Sequence, residues 1–326
     1  MRSFMQLESD AHENTVDAEP TVVNCYEFFE TLFPASGLLD LTDGMYYGDD
    51  SIPYDEAQGN QCNWLLDEVG CTSGSRILDI GCGNGRLVAA AQRRGADAVG
   101  ITVSPQQVNR CRSQGLDVRL MNYRRLGDDW NGRFDSIIAN GSIEHFVQPR
   151  DILARRQDEI YREMFEIFHR LLDPSSSARR VATTVIHQHD RTPMPPAEVL
   201  LRSPWRFRWK SPEFHFVSLQ RGFGGSYPHL GQLERCAASL FQLSREVDGT
   251  EDYRVTSEMG NLAVRKTLFS AAGFFDVWPH LIGFVARHPS QGATLLAMVT
   301  GGSWRWQFQG SPPPTKLLRQ VWQYLE

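Results

Sequence analysis

The sequence lacks closely spaced cysteines. None of its six cysteines forms a C-x-x-C pair, the spacing typical of structural zinc sites and redox dithiols. They are Cys25, Cys62, Cys71, Cys82, Cys111 and Cys236. Because scattered thiols are typical of proteins that fold in a reducing compartment, the sequence predicts a cytoplasmic protein. No spacing of His, Cys, Asp and Glu resembles a set of metal ligands, so no metal site is expected.

Long apolar runs and an excess of positive charge are also absent. No stretch approaches the roughly 20 apolar residues that span a bilayer, and the acidic N-terminus has no apolar segment of the kind that a signal peptide needs. The formal net charge of −6 offers no broad basic field for nucleic acid. Hydrophobic residues make up 41% of the 326 residues, enough for a large core. These features predict a soluble protein with no integral membrane segment and no nucleic-acid partner, and they leave transient contact with a membrane surface open.

Strand and helix patterns alternate from residue 75 onward. The first five strands are expected in RILDIG, ADAVGITVS, VRLMNY, FDSIIANG and VATTVIH. A long amphipathic helix is expected over 152–172, and two helices are expected before the first strand. This rhythm predicts an α/β fold with a doubly wound, mostly parallel Rossmann-like sheet. The expected segments are a disordered polar tail at 1–20, an N-terminal helical cap at 21–70, the core at 71–189, an inserted lid at 190–235 and the C-terminal part of the core at 236–326.

The lid segment interrupts the rhythm with proline, glycine and aromatic residues. Because it follows a strand, it is expected to lie over the sheet edge where ligands bind. Aromatic and cationic residues alternate in SPWRFRWKS, which predicts a strand. That strand is either a lid edge that meets an anionic headgroup or phosphate, or an amphipathic strand with a solvated face. Farther on, FQLSREV and SWRWQFQ are expected to be strands, 261–300 mostly helical, and a short helix to follow the three prolines at 312–314.

The segment RILDIGCGNG carries the clearest chemical signal. A strand ends in a turn with Gly81, Gly83 and Gly85, and a helix begins at once, so the backbone can approach a ligand at a helix N-terminus. A dinucleotide loop of the pattern G-x-G-x-x-G would have glycine where the sequence has Arg86. Asp79 precedes the loop, where a carboxylate would repel a pyrophosphate but suit the ammonium group of a methionine-type ligand. The spacing D-x-G-x-G-x-G therefore favours S-adenosylmethionine.

Residues 75–146 resemble the core of the cyclopropane fatty acid synthase family, which includes the mycolic acid methyltransferases. The resemblance is carried by LDIGCGNG, by GITVSPQQ at 100–107 and by FDSIIANGSIEHF at 134–146. Weaker similarity in YDEAQ, RGFGGSYPHLGQLERCA and EDYRVTSE extends it over most of 40–270. The resemblance implies a class I S-adenosylmethionine-dependent methyltransferase with a Rossmann-like methyltransferase sheet.

The resemblance also implies how the cofactor is held. Thr102 and Gln107 match positions on the ribose side, although Gln107 could instead be an exposed helix residue. Asn122 and Tyr123 match the pair that flanks the adenine. Asn140 begins the loop near the methionine moiety. The candidate cofactor-binding residues are Asp79, Gly81, Gly83, Gly85, Thr102, Gln107, Asn122, Tyr123, Asn140 and Tyr47.

Candidate catalytic residues come from the same resemblance. The family uses a tyrosine, a glutamate, a histidine and a cysteine around a bound bicarbonate, which removes a proton after an alkene has accepted the methyl group. Glu144 in IEHF matches the glutamate, and Tyr253 in EDYRVTSE matches the tyrosine. His187 matches the histidine, with His189 as a rival. His145 is either catalytic or a core residue.

The family's cysteine has no counterpart. The corresponding stretch, DGMYYGDD, offers Gly44 or Met45 instead, and only Tyr46 or Tyr47 could supply a hydroxyl there. Bicarbonate, and with it cyclopropane formation, is therefore in doubt.

Three functions remain open. The leading interpretation is C-methylation of an apolar acceptor, an unsaturated acyl or isoprenoid-like chain taken in under the lid. The alternatives are an N-, O- or S-methyltransferase of a small molecule and a catalytically idle S-adenosylmethionine-binding subunit. The sequence does not identify the acceptor or the oligomeric state.

Overall fold

The computed structural model describes residues 19–189 and 192–326. The tail expected at 1–20 lies outside the described residues except for its last two positions. Of these, Pro20 is already the first residue of a helix, since the fixed φ of proline suits a helix start.

A seven-stranded sheet forms the centre of the molecule. Its strands are β1 (Arg76–Ile80), β2 (Asp97–Thr102), β3 (Val118–Leu120), β4 (Ser136–Asn140), β5 (Arg180–Gln188), β6 (Phe241–Asp248) and β7 (Thr315–Tyr324). They lie in the order β3-β2-β1-β4-β5-β7-β6; β7 is antiparallel to both neighbours, and the other pairs are parallel. Chain order reverses between β1 and β4, where open α/β sheets bind ligands. The predicted doubly wound, mostly parallel sheet is confirmed.

Helices surround this sheet. They are α1 (Pro20–Ala35), α2 (Tyr54–Glu68), α3 (Arg86–Arg93), α4 (Pro105–Ser113), α5 (Pro149–Leu153), α6 (Gln157–Leu171), α7 (Pro212–Phe223), α8 (Gln232–Ala237), α9 (Thr250–Leu268), α10 (Trp278–Arg287), α11 (Pro289–Gly301) and α12 (Ser303–Trp306). The two early helices and the helical character of 261–300 are as predicted. The single helix expected over 152–172 is wrong, because Arg155 has a φ of +57° and separates α5 from α6.

Alternate residues of β1 face two different hydrophobic clusters. Leu78 and Ile80 pack with residues of α6, including Phe165 and Phe168. Ile77 lies on the opposite face and packs with residues of α2, α3 and α4. Because both faces of the sheet are covered, ligands can reach its strands only at their ends.

The last two elements were predicted as a strand followed by a helix, but the structure has a helix followed by a strand. SWRWQFQ contains α12 and no strand, and the segment after the three prolines is β7 rather than a helix. Trp304 and Phe308, four residues apart, share one cluster, whereas Trp306 packs in another. That spacing follows one face of a helical path, so the two-residue alternation of aromatics was misleading.

The strand expected in SPWRFRWKS is also wrong. Pro204–Arg206 forms a short 3-10 turn instead. Trp205 and Trp209 are four residues apart, stack with ring centroids 6.0 Å apart and remain partly exposed. Trp209 packs against Phe214, with ring centroids 4.7 Å apart, where α7 begins. Of the expected lid, 192–211 contains only short 3-10 helices, at Pro196–Leu201 and Pro204–Arg206, joined by irregular chain. The α7 helix packs on α1 and α11.

No single helix of the described chain has the length and apolar composition needed to cross a membrane. One strongly bent pair, Thr250–Leu268 with Gly273–Arg287, meets that test only when its two helices are combined.

Candidate active site

The glycine loop after β1 adopts backbone angles that favour glycine. Gly81, Gly83 and Gly85 all have positive φ, from +53° to +79°. At Gly81 a Cβ would lie 2.3 Å from the Cβ of Ser142, so glycine is also needed for packing there. A Cβ on Gly83 would have no atom within 4 Å. The backbone of Gly83 therefore borders open space that a ligand can occupy.

Asp79 is buried beside this loop with one carboxylate oxygen unsatisfied. Its side chain is 2% exposed, and no group donates a hydrogen bond to Oδ1. Burial raises the pKa of the carboxyl group to about 7. A buried carboxylate without a partner is costly unless a cation or donor reaches it, so Asp79 fits the ammonium group of the expected cofactor.

A polar cavity of about 760 Å³ lies at the ends of β2 and β3. It contains the predicted nucleoside contacts Thr102, Gln107, Asn122 and Tyr123. The Thr102 hydroxyl donates to Oε1 of Gln107 over 2.7 Å, which orients the glutamine toward the strand end. The exposed alternative for Gln107 does not apply, since this residue is 4% exposed. The volume lies within the range of small-molecule sites.

The Tyr123 side of the polar cavity is flat and aromatic. The Tyr123 ring stacks on Phe146 with centroids 4.1 Å apart. Arg124 lies beside the buried Tyr123 hydroxyl, but no hydrogen bond of ordinary geometry reaches that hydroxyl. An aromatic edge with an unsatisfied hydroxyl suits a planar heterocycle such as adenine. The predicted residue pair at 122–123 is therefore placed where an adenine could bind.

A second, aromatic cavity of about 130 Å³ adjoins the first, and Gly81 and Gly83 belong to both walls. Its wall also contains Asp79 and Asn140 from the carboxyl ends of β1 and β4. The aromatic side chains of the wall are Tyr26, Phe29, Phe33, Phe223, Tyr227, Tyr253 and Trp304. The glycine loop thus meets a polar cavity on one side and a mostly apolar one on the other.

Glu144 places a carboxylate in the aromatic cavity. The backbone N–H of Ile186 donates to its Oε1 over 2.8 Å, and Oε2 has no partner. Burial raises the pKa of the Glu144 carboxyl group to about 7. A carboxylate with one anchored and one free oxygen can accept a proton from a bound molecule near neutral pH.

Gly225 explains how the turn that carries Glu144 is held. A Cβ at Gly225 would lie 2.1 Å from the Glu144 carbonyl oxygen, and the N–H of Ser226 donates to the carbonyl of Val147 over 2.8 Å. The glycines of RGFGGSYPHL therefore permit a close backbone approach, which brings Phe223 and Tyr227 into the cavity wall.

His145 has a structural role beside Glu144. Its Nδ1 lies 3.1 Å from the Phe223 carbonyl and its Nε2 lies 2.9 Å from the Tyr26 hydroxyl. Because the carbonyl can only accept, Nδ1 carries the proton and the Tyr26 hydroxyl donates to Nε2. Burial lowers the pKa of His145 to about 4, so the neutral ring links α1 to the end of α7.

The structure does not bring His187 to either cavity. Ile186 is in the wall of the aromatic cavity, and the next side chain along β5 faces the other side of the sheet. His187 is fully buried, and its Nδ1–H donates to the Val185 carbonyl over 3.0 Å. Its rival His189 is also outside both walls. Glu144 and Tyr253 therefore meet in one cavity without the expected histidine.

The other groups expected around bicarbonate do not fit that anion. The Tyr253 hydroxyl already donates to the Leu41 carbonyl over 2.9 Å. A Cβ at Gly44 would lie 2.7 Å from that of Ala57, so this position has no room for a cysteine side chain. Tyr46 is buried outside both cavity walls.

Tyr47 is likewise separated from the expected cofactor site. Its side chain is 68% exposed and lies in neither cavity wall. Tyr46 takes the inward position of this turn, which leaves Tyr47 in solvent. The structure therefore gives no support to Tyr47 as a cofactor contact.

Sequence reasoning missed a buried ionic network behind the cavity. Arg319 of β7 is 0% exposed and donates to Asp43 over 2.8 Å and to Asp252 over 2.6 Å. It also donates to Oε1 of Gln61 over 2.6 Å, and Nε2 of Gln61 reaches Asp43 over 2.9 Å and Asn140 over 3.5 Å. The C-terminal strand is thereby connected to the last residue of β4, although no sequence motif marks Arg319.

Comparison with known proteins identifies the family. The model of the family described as mycolic acid cyclopropane synthetase matches residues 39–246. Cyclopropane mycolic acid synthase 1 of Mycobacterium tuberculosis is 25% identical over 227 residues, which are 68% of this chain and 72% of that protein. The cyclopropane synthase MmaA2 of the same species superposes with a TM-score of 0.63 at 19% identity, covering 93% of this chain and 96% of that one.

A further relative matches only the core. The ubiquinone biosynthesis O-methyltransferase of Acinetobacter baumannii is 32% identical over 102 residues, 29% of this chain. The match spans 43% of the length of that relative. The similarity thus extends to methyltransferases of different named acceptors.

Proposed function

Since the chain belongs to the mycolic acid cyclopropane synthetase family of S-adenosylmethionine-dependent methyltransferases, we propose that it methylates a carbon atom of an apolar acceptor, an unsaturated acyl or isoprenoid-like chain. One observation carries this proposal. The unsatisfied oxygen of Glu144 belongs to an aromatic cavity that adjoins the glycine loop.

The cofactor fits the residues around the loop. Asp79 would hold the ammonium group, and the polar cavity would hold the nucleoside against Tyr123. When bound, S-adenosylmethionine supplies an electrophilic methyl group. The protein's contribution is to align the acceptor carbon with that methyl group and to exclude water.

Positive charge on the acceptor explains the composition of the aromatic cavity. When an alkene carbon takes a methyl group, the neighbouring carbon becomes cationic. Aromatic faces such as those of Tyr253 and Trp304 stabilise a cation by about 0.5–2 kcal/mol each. Glu144 then removes a proton from the adjacent carbon, the C–H electrons form a new alkene, and a methyl-bearing product results. Stabilisation of the cation and removal of the proton both use side chains of the cavity wall.

Cyclopropane closure is not part of this proposal. Closure in the family depends on a bound bicarbonate, and Gly44, His187 and Tyr253 do not provide the donors that such an anion needs. Each unsatisfied oxygen of a buried anion would cost about 1–3 kcal/mol. We therefore expect Glu144 to act as the base itself.

The test is product analysis with methyl-labelled S-adenosylmethionine. Dioleoyl phosphatidylglycerol and geraniol represent the acyl and isoprenoid classes. The expected product carries the label in a new C-methyl group by NMR, and added bicarbonate leaves the rate unchanged. A labelled cyclopropane carbon, or a clear rate increase with bicarbonate, would show that the anion binds despite the altered residues.

One observation favours a second candidate, methylation of an amine nitrogen. The wall of the aromatic cavity contains Glu30, Asp40, Asp43, Asp79 and Glu144. The first three are paired with arginines, which leaves Asp79 and Glu144 without a cation. An ammonium group could bind there, lose its proton to Glu144 and then attack the methyl group. Octylamine serves as the probe, because a labelled N-methyl product would favour this candidate over carbon methylation.

The lid is a separate proposal. We propose that the inserted segment, expected at 190–235, serves as a lid over the acceptor. Phe223 and Tyr227 support this, since both belong to the wall of the aromatic cavity. The cavity's volume of about 130 Å³ is below the roughly 300–1,000 Å³ of small-molecule sites. A long acceptor therefore needs a wall that moves.

A further inference from the structure

Two buried polar groups in the aromatic cavity have no partner. Gln307 is 1% exposed, and neither its amide nitrogen nor its amide oxygen makes a hydrogen bond. The indole N–H of Trp304, which is 8% exposed, is also unsatisfied. Both residues belong to the wall of the cavity that contains Glu144. These polar groups have no role in methyl transfer as described above.

Their backbone is firmly held. The Gln307 carbonyl accepts hydrogen bonds from the N–H of Thr315 over 3.0 Å and from its hydroxyl over 2.8 Å. The Trp304 ring packs so closely on Gly260 that a Cβ there would lie 2.4 Å from it. The unsatisfied groups are therefore not the result of a loose chain segment.

Neighbouring side chains do not satisfy them. The Tyr227 and Tyr253 phenols lie close by, but neither makes a hydrogen bond of ordinary geometry with the amide or the indole N–H. A buried polar atom without a partner costs about 1–3 kcal/mol. Three such atoms in one cavity wall indicate that a bound molecule supplies their missing hydrogen bonds.

We propose that Trp304 and Gln307 form an anchor subsite for a neutral polar group of the acceptor, a hydroxyl or a primary carboxamide. The inference rests on the proposed function, since it places the acceptor in the aromatic cavity. The acceptor oxygen accepts from the Trp304 indole N–H and the Gln307 amide nitrogen. Its O–H or N–H donates to the Gln307 amide oxygen.

The donor pattern excludes two other groups. A carboxylate could accept both hydrogen bonds but could not donate to the Gln307 amide oxygen, and its charge would oppose that of Glu144. An ether could accept but not donate. The acceptor is therefore an apolar chain that carries an uncharged group with both donor and acceptor character.

Binding of short amphiphiles tests the anchor without turnover. Octanol and methyl heptyl ether have the same number of heavy atoms, but only octanol can donate. With S-adenosylhomocysteine bound, calorimetry should show about a tenfold preference for octanol, the effect of one lost hydrogen bond in a buried site. Octanoate should bind more weakly than octanol. Equal affinity for octanol and the ether would overturn the anchor.

Substitutions at Gln307 and Trp304 test whether these residues cause the preference for octanol over the ether. Gln307→Leu should abolish it, and Trp304→Phe, which keeps a ring but loses the N–H, should weaken octanol binding about fivefold. Gln188→Leu is the matched control, because Gln188 is equally buried, also has an unsatisfied amide and is outside the cavity wall. It should leave the preference unchanged. Wild-type affinity for S-adenosylhomocysteine verifies that each variant is folded.

The outcomes separate the two proposals. If the unmodified protein does not bind S-adenosylhomocysteine, the proposed function fails and the anchor fails with it. If it does bind, but Gln307→Leu retains the preference for octanol, only the anchor is wrong.

Discussion

Asp79 and Glu144 are buried carboxylates with similar environments and different expected partners. Each has one unsatisfied oxygen, and burial raises the pKa of each to about 7. Asp79 adjoins the glycine loop and is expected to bind a cation, which would lower its pKa. Glu144 is expected to take a proton. Because both roles need the ionised carboxylate, cofactor affinity and activity should both fall as the pH decreases through about 7.

The affinity for S-adenosylhomocysteine should depend on Asp79. Below pH 7 the free carboxyl group becomes protonated and neutral, so affinity should fall by up to about tenfold for each pH unit. Asp79→Asn should reduce affinity about ten- to a hundredfold and remove this pH dependence, as calorimetry can measure. Unchanged affinity in the variant would mean that Asp79 does not contact the ammonium group.

Activity should depend on Glu144 in its ionised form. The rate should therefore fall as the pH decreases through about 7, since the protonated carboxyl group cannot accept a proton. Glu144→Gln should lower kcat about 100- to 10,000-fold. Glu234→Gln is the control, because Glu234 also has one unsatisfied oxygen but lies outside the aromatic cavity. Equal losses in both variants would contradict a role as base.

Comparing substitutions at Gly83 and Gly115 distinguishes loss of the ligand's space from backbone strain. Gly83→Val should weaken binding of S-adenosylhomocysteine at least a hundredfold, because its side chain would occupy the open space beside the loop. Gly115 also has positive φ and open space around a Cβ, but it lies outside both cavity walls. Gly115→Val should cost similar stability, about 1–2 kcal/mol, without changing affinity. Comparable binding losses would attribute the effect to strain.

At the scale of elements, the β7 strand contributes most of what sequence patterns could not show. Arg319 and Gln320 are polar, so the segment did not have the apolar character of a central strand. Both side chains are completely buried. Their partners come from distant parts of the chain, such as Asp43 and Glu234. Pairing of this kind is not visible in the period or composition of one segment.

Arg319 should be essential for stability. Arg319→Met leaves the buried Asp43 and the half-buried Asp252 without their cation, which should lower the free energy of unfolding by about 3–5 kcal/mol. Lys316 is the control on the same strand, since its ion pair with Asp248 is partly exposed. Lys316→Met should cost about 0–1 kcal/mol. Urea denaturation would measure both, and equal costs would mean that the network does not stabilise the fold.

At the scale of the whole molecule, the sequence predicts the cofactor half better than the acceptor half. The loops after β1 and β4 follow strands whose periodicity is clear, and parallel strands bring their carboxyl ends together. The aromatic cavity is built from α1, β5, α9 and α12, which meet only in the folded chain. Trp304 and Gln307 belong to no recognisable sequence motif. The side-chain direction of His187 depends on the exact register of β5.

The lid should be the part of the fold that trypsin reaches first. The exposed residues Arg206, Arg208 and Lys210 lie in the irregular segment before α7, where few backbone hydrogen bonds resist local opening. Cleavage in this segment should slow severalfold when octanol is added to the complex with S-adenosylhomocysteine. S-adenosylhomocysteine alone should change the cleavage rate little. Mass spectrometry of the first fragments would identify the sites. First cleavage within the sheet, or equal protection by the cofactor product alone, would show that this segment does not respond to the acceptor.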